Sequence, residues 1–208
     1  MRAGFVALAL AMSAAPVLAQ PPVRHAPPPA SNAKKPAPQA VRTVAAQWRV
    51  IPATSTIGFA SSVEDTAFRG VFTRWTADIR FDPANLAGSS ARVVIDPTSA
   101  NSGLADRDKT LRETDWFDTQ HSPQAVFQTT SIRAVSAGRY EALGTLSIKG
   151  RATPVTLPFT VAITGANADM QGALTVDRIR LGLGAQIQTD MVPVNVAVSV
   201  RVHASRAP

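Results

Sequence analysis

The 208 residues contain no cysteine. That excludes a disulfide framework, a thiolate metal site, a thiol nucleophile and a lipid anchor on cysteine, so stability must come from a packed core. Histidine is nearly as scarce: His25, His121 and His203 are the only three, and no two stand at metal-ligand spacing. No G-x-S-x-G, phosphate loop or dinucleotide fingerprint occurs. No run approaches the about 18 uninterrupted apolar residues of a membrane-spanning helix. Acidic residues are absent from positions 1–46, where Arg2, Arg24, Lys34, Lys35 and Arg42 carry five of the net seven positive charges. The remainder is nearly neutral, which argues against nucleic acid as a partner.

What is present begins with "MRAGFVALALAMSAAPVLAQ". A cationic start, a short apolar stretch and a small-residue pattern at Val17-Leu18-Ala19 predict a secretory signal over 1–19, cleaved after Ala19, and hence a periplasmic location. Residues 20–47 are rich in Pro, Ala and Lys without apolar periodicity, and are expected to form a disordered tether. Its basicity allows a transient contact with a membrane surface, but a plain solubilising spacer is the simpler reading. The folded domain is expected over 48–208, enough chain for one sizeable core.

Within that domain, apolar and polar residues alternate with period two in eight segments: 56–63, 71–82, 91–96, 125–132, 140–149, 155–163, 169–177 and 192–202. Period two marks strands with one buried face. Short Gly, Pro and Asn clusters between them suit antiparallel neighbours. The fold class predicted is all-β, an antiparallel barrel of about eight strands with a short helical insert near 103–118. In 71–82 the expected inward set is Val71, Thr73, Trp75, Ala77, Ile79 and Phe81. A barrel of this size is either filled by its own side chains or left open for one slender ligand. The inward positions carry almost no charge, so the interior offers an apolar tail a good solvent and offers chemistry little.

Two segments break the strand rhythm. "RIRLGLGAQIQTD" precedes the last strand, and "SGLADRDKTLRETDWFD" is the most charged stretch of the chain. In the latter, Ser102 or Asp106 is placed to cap a short helix, with Leu104 and Leu111 along one side. Such a helix folds only if docked on an apolar surface, for which a barrel end is suited.

"FRGVFTRWTADIRFDP", then "SGLADRDKTLRETDWFDTQHSPQAVFQTT", then "GTLSIKGRATPVTLPF", in that order, resemble the YceI-like family of exported polyisoprenoid-binding proteins. The resemblance runs from about Trp48 to Val202. It implies a lipocalin-like barrel enclosing a long apolar tail, with the insert as a lid near the cavity mouth. Trp116 and Phe117 match the family's paired aromatics, Arg107 and Asp108 its Arg-Asp pair, and Arg112 its second arginine. Thr110 and Lys149 stand where the family often has His, and Leu181 or Leu183 replaces the aromatic of its late R-x-x-F-G region.

The candidate lipid-binding residues are therefore Ile57, Phe59, Trp75, Ile79, Phe81, Val93, Ile95, Leu104, Leu111, Trp116, Phe117, Phe127, Leu146, Leu157, Phe159 and Val196. Arg107, Asp108 and Arg112 are the headgroup candidates, since a guanidinium fork suits phosphate or polar oxygens. The competing reading pairs the two arginines with Asp106, Asp108, Glu113 or Asp115. No catalytic residue, metal or cofactor is expected; the ligand is an isoprenoid, quinone-like or fatty amphiphile. Two alternatives stay open: a non-catalytic envelope interaction module with a dry core, and a hydrolase using the loop around His121. The oligomeric state is also open, a homodimer included.

Overall fold

The computed structural model describes residues 45–207. The expected export signal, and the tether up to residue 44, lie outside the described residues. The remaining three tether residues belong to the barrel: Ala45 is buried, Ala46 accepts a hydrogen bond from Phe81 N, and Gln47 opens the first strand.

The strands are β1 (Gln47–Val50), β2 (Thr56–Val63), β3 (Thr66–Phe72), β4 (Trp75–Arg80), β5 (Ser90–Ile95), β6 (Ala100–Asn101), β7 (Ala125–Ser136), β8 (Arg139–Ile148), β9 (Arg151–Thr164), β10 (Asn167–Asp177) and β11 (Asn195–Arg206). The one α-helix among the described residues is α1 (Ala105–Thr110). All the pairings are antiparallel. They run β1-β4-β5-β7-β8-β9-β10-β11, and a β1–β11 pairing closes the ring. β2 continues β1 along the edge of β11, β3 precedes β4 as the partner of β2, and β6 pairs with β3. The wall is thus an eight-membered ring in which three members are broken strands. The eight alternating segments correspond to its eight members.

Tight turns connect the members. Glu64 and Asp65, and Lys149 and Gly150, all have positive φ, the conformation of two-residue hairpins that follow the twist of their strands. A bulge at Thr130 keeps Thr129 and Ile132 both buried. Gly70 faces Phe59 across the β2–β3 ladder, and a Cβ there would sit 2.3 Å from the Phe59 ring.

One alternation differs from expectation. Within 71–82, Trp75, Ala77, Ile79 and Phe81 point inward, but on β3 the buried side holds Gly70 and Phe72 instead of Val71 and Thr73. The chain bends at Thr73-Arg74, which shifts the pleat by one residue. Ser99 holds this bend: its Oγ accepts from Arg74 N at 3.0 Å and donates to Asp96 O at 2.6 Å, and its carbonyl accepts from Thr73 N at 3.2 Å.

Candidate ligand cavity

The inward residues enclose a cavity of about 160 Å³. Its wall is Ile, Val, Leu, Ala, Met, Phe and Trp, with Arg80 and Ser90 at the margin. On β11 the lining runs from Val198 to Ala204, a length of about 20 Å at the usual rise of a strand. Ten of the predicted residues line it: Ile57, Trp75, Ile79, Phe81, Val93, Ile95, Phe127, Leu146, Leu157 and Phe159.

One end is sealed by aromatic side chains from the strands. Tyr140 and Phe159 stack at 5.5 Å, and Phe81 meets both edge-on at 5.1 and 5.9 Å. Trp48 closes the remaining gap, its indole N–H donating to Phe81 O at 2.9 Å. Such pairs contribute about 0.5–1.5 kcal/mol each beyond area burial.

The other end is sealed by the two rhythm-breaking segments. Leu111 and Phe117 of the insert bury against Leu181 and Leu183 of the loop before β11, over Ile148 and Val176. Phe117 meets Phe72 edge-on, and Phe72 in turn packs tilted against Phe59. The corrections to the predicted set lie here. Phe59, Leu111, Trp116, Phe117 and Val196 belong to this plug and not to the cavity wall. Trp116 packs over Gly184, where a Cβ would approach its ring to 3.0 Å. Leu104 is half exposed, because α1 begins after it and is only six residues long. Neither Ser102 nor Asp106 caps the helix. Instead Ser102 donates through N and Oγ to the Asp108 carboxylate, at 2.8 and 2.6 Å.

Arg178 is the residue that sequence reasoning missed. Its side chain is fully buried and spends its guanidinium on backbone carbonyls: Pro193 at 3.0 Å, Leu183 at 3.1 Å, Ile187 at 3.0 Å, Val192 at 2.8 Å, and Gly184. One side chain thereby satisfies the polar backbone of a loop that has no ladder of its own. Burial holds its pKa below the ordinary arginine value, with the Asp177 carboxylate opposing. Lys149 makes a second clasp, its ammonium reaching Thr114 O at 2.6 Å and Gly182 O at 3.1 Å, one from each closing segment.

The headgroup candidates do not converge on the cavity. Arg107 lies 4.0 Å over the Phe68 ring on the outer side of the plug, Asp108 is engaged by Ser102, and Arg112 is exposed. Among the described residues neither arginine forms an ion pair. His121 bonds Asp118 at 2.8 Å with its side chain three-quarters exposed, and no described hydroxyl bonds its ring.

Residues 48–204 match the YceI-like domain. The chain belongs to the YceI-like family. Among solved structures, Burkholderia cenocepacia BcnA has 31% identity and a TM-score of 0.72 over 76% of this chain and all of that one. A Saccharophagus degradans domain, described as polyisoprenoid binding and implicated in plant cell wall breakdown, shares the fold with a TM-score of 0.58 and 18% identity, over 79% of this chain and all of that one. Of curated proteins, a UPF0312 protein of Vibrio parahaemolyticus is 33% identical over 104 residues, 50% of this chain and 54% of its own length. Protein YceI of Escherichia coli O157:H7 is 35% identical over 88 residues, 42% of this chain and 46% of that one. The chain thus spans about half the length of the curated relatives it matches. The geometry decides how the YceI-like R-x-x-F-G region falls on this chain. Arg178 is the buried arginine, and Leu181, at 1% exposure, takes the aromatic's place before Gly182.

Proposed function

We propose that this protein is an exported, non-catalytic carrier that sequesters the tail of a long-chain isoprenoid, quinone-like or fatty amphiphile inside the barrel, in the periplasm. The observation that carries this reading is a central apolar cavity in a barrel closed at both ends. Apart from Arg80 and Ser90, its lining is wholly apolar, which suits binding and not bond-breaking. A likeness of fold to a domain described as polyisoprenoid binding supports the same class of ligand. Burial of a tail supplies the driving force: about 300 Å² of apolar surface at about 25 cal/mol per Å² gains about 7 kcal/mol before ordering costs.

The cavity as it stands has the volume of one small ring; an engineered cavity of about 150 Å³ takes benzene. A long tail therefore enters by displacing lining side chains, of which the unbranched Met170 is the most adaptable. Native mass spectrometry of protein taken from its own periplasm tests the reading. A stoichiometric lipid, lost in the folded Ala77→Trp variant, is expected. An empty protein that refuses added isoprenoids and fatty acids would sink the carrier reading and leave the interaction module with a dry core.

A further inference from the structure

Packed side chains cap both ends of the bore, so a way in is sought through the wall. The barrel wall has an opening between its first two members. Trp48 pairs with Ile79, and Ile57 pairs with Phe72. Nine residue steps on one strand therefore face seven on the other. The surplus is taken up by the 3-10 turn at Pro52–Thr54 and the ladders part around it. Residues 49–56 and 73–78 make no ladder pairs with each other. Over the gap lies a half-open outer chamber of about 750 Å³. Trp48, Trp75 and Ala77 line both this chamber and the central cavity, so these three residues stand between the two.

The two tryptophans on this partition differ. Trp48 is locked by its bond to Phe81 O. Trp75 is half-buried, and its indole N–H has no hydrogen-bond partner among the described residues. The outer chamber also holds the hydroxyls of Thr56 and Thr76, free of partners among the described residues, and one cation, Arg49. These are donors for an oxygen acceptor. A single arginine is too little positive charge for a diphosphate.

We propose that the amphiphile enters through this lateral opening, past Trp75, and that its head rests there as an uncharged, oxygen-bearing group of the quinone or alcohol class. This rests on the carrier reading. It relocates the head from the lid arginines to the wall.

The absence of cysteine makes a clean test. Exposed Thr76 of β4, at the opening, and exposed Thr156 of β9, on the opposite wall, are each changed to cysteine and coupled to a polyethylene-glycol maleimide. Uptake of a decyl-substituted benzoquinone is followed by tryptophan quenching, and its equilibrium binding by dialysis. Labelled Thr76→Cys is expected to load at least an order of magnitude more slowly than wild type, and labelled Thr156→Cys at the wild-type rate. In saturated protein, Trp75→Phe should lose the largest share of quenching and Trp116→Phe little. Wild type that loads, with labelled Thr76→Cys loading equally fast or with quenching lost in Trp116→Phe instead, overturns the lateral entry and leaves the carrier reading standing. Wild type that takes up no quinone, prenol or fatty acid overturns both.

Discussion

The two ends of this barrel are closed by opposite means. At one, Trp48, Phe81, Tyr140 and Phe159 project from the strands themselves and fill the bore by side-chain volume. At the other, two loops are folded over the bore and held by polar side chains, Arg178 and Lys149, reaching backbone carbonyls. The first closure is an extension of the wall and rises or falls with it. The second is a separate layer with its own hydrogen-bond economy, and can be loosened without dismantling the strands.

Variants at the two ends should separate these behaviours. Arg178→Met is expected to have the largest effect. It removes the partner of five carbonyls, three of them in buried bonds, and a buried acceptor costs about 1–3 kcal/mol when orphaned, so a loss of about 4 kcal/mol or more in urea unfolding is anticipated, with the 178–194 amides losing hydrogen-exchange protection first. Uniform loss of protection would show that the lid and wall unfold as one unit and erase the distinction. Phe159→Ala comes next, at about 3–5 kcal/mol. It should open the aromatic end and enlarge the cavity, read as benzene or xenon uptake absent from wild type. Lys149→Met should cost about 1–2 kcal/mol, and its exchange changes should be confined to 112–118 and 180–184, with none near Tyr140.

The smallest effect concerns Asp96, beside the wall opening. Partial burial raises its pKa, but hydrogen bonds from Thr98 and Arg74 and the charge of Arg74 outweigh this and leave it below the ordinary 3.8. A depressed carboxyl contributes stability in full above its unfolded value and loses it as pH falls through the folded one. Asp96→Asn should therefore flatten the stability loss below about pH 4. With the side chain over a third exposed, the change at neutral pH should stay within about 1 kcal/mol. An unchanged acid limb of the urea midpoint would show that other carboxylates govern it.

The aromatic end was largely legible from sequence because strand residues declare their face by period two: Phe81, Tyr140 and Phe159 each fall on the inward set of their segment. Trp48 was not, since β1 is four residues long and offers no alternation to read. The plug was legible only as two segments that refused to be strands. Their side chains were assigned to the cavity because apolarity alone does not distinguish lining a bore from stoppering it. Arg178 escaped notice because a cation in a Gly-rich loop reads as solvated; nothing local says that a ring of carbonyls will surround it.

By itself, then, the sequence determined a ring of eight members, which face of each is apolar, and where the chain leaves the wall. These are local properties, carried by alternation and turn chemistry within a few residues. Tertiary structure alone decided that both loops close the same end, that Arg178 is buried, that Phe72 replaces Thr73 on the inner face, and that the wall parts between β1–β2 and β3–β4. Each depends on register between strands or on contacts across tens of residues, and no single segment encodes the offset of nine steps against seven that opens the wall.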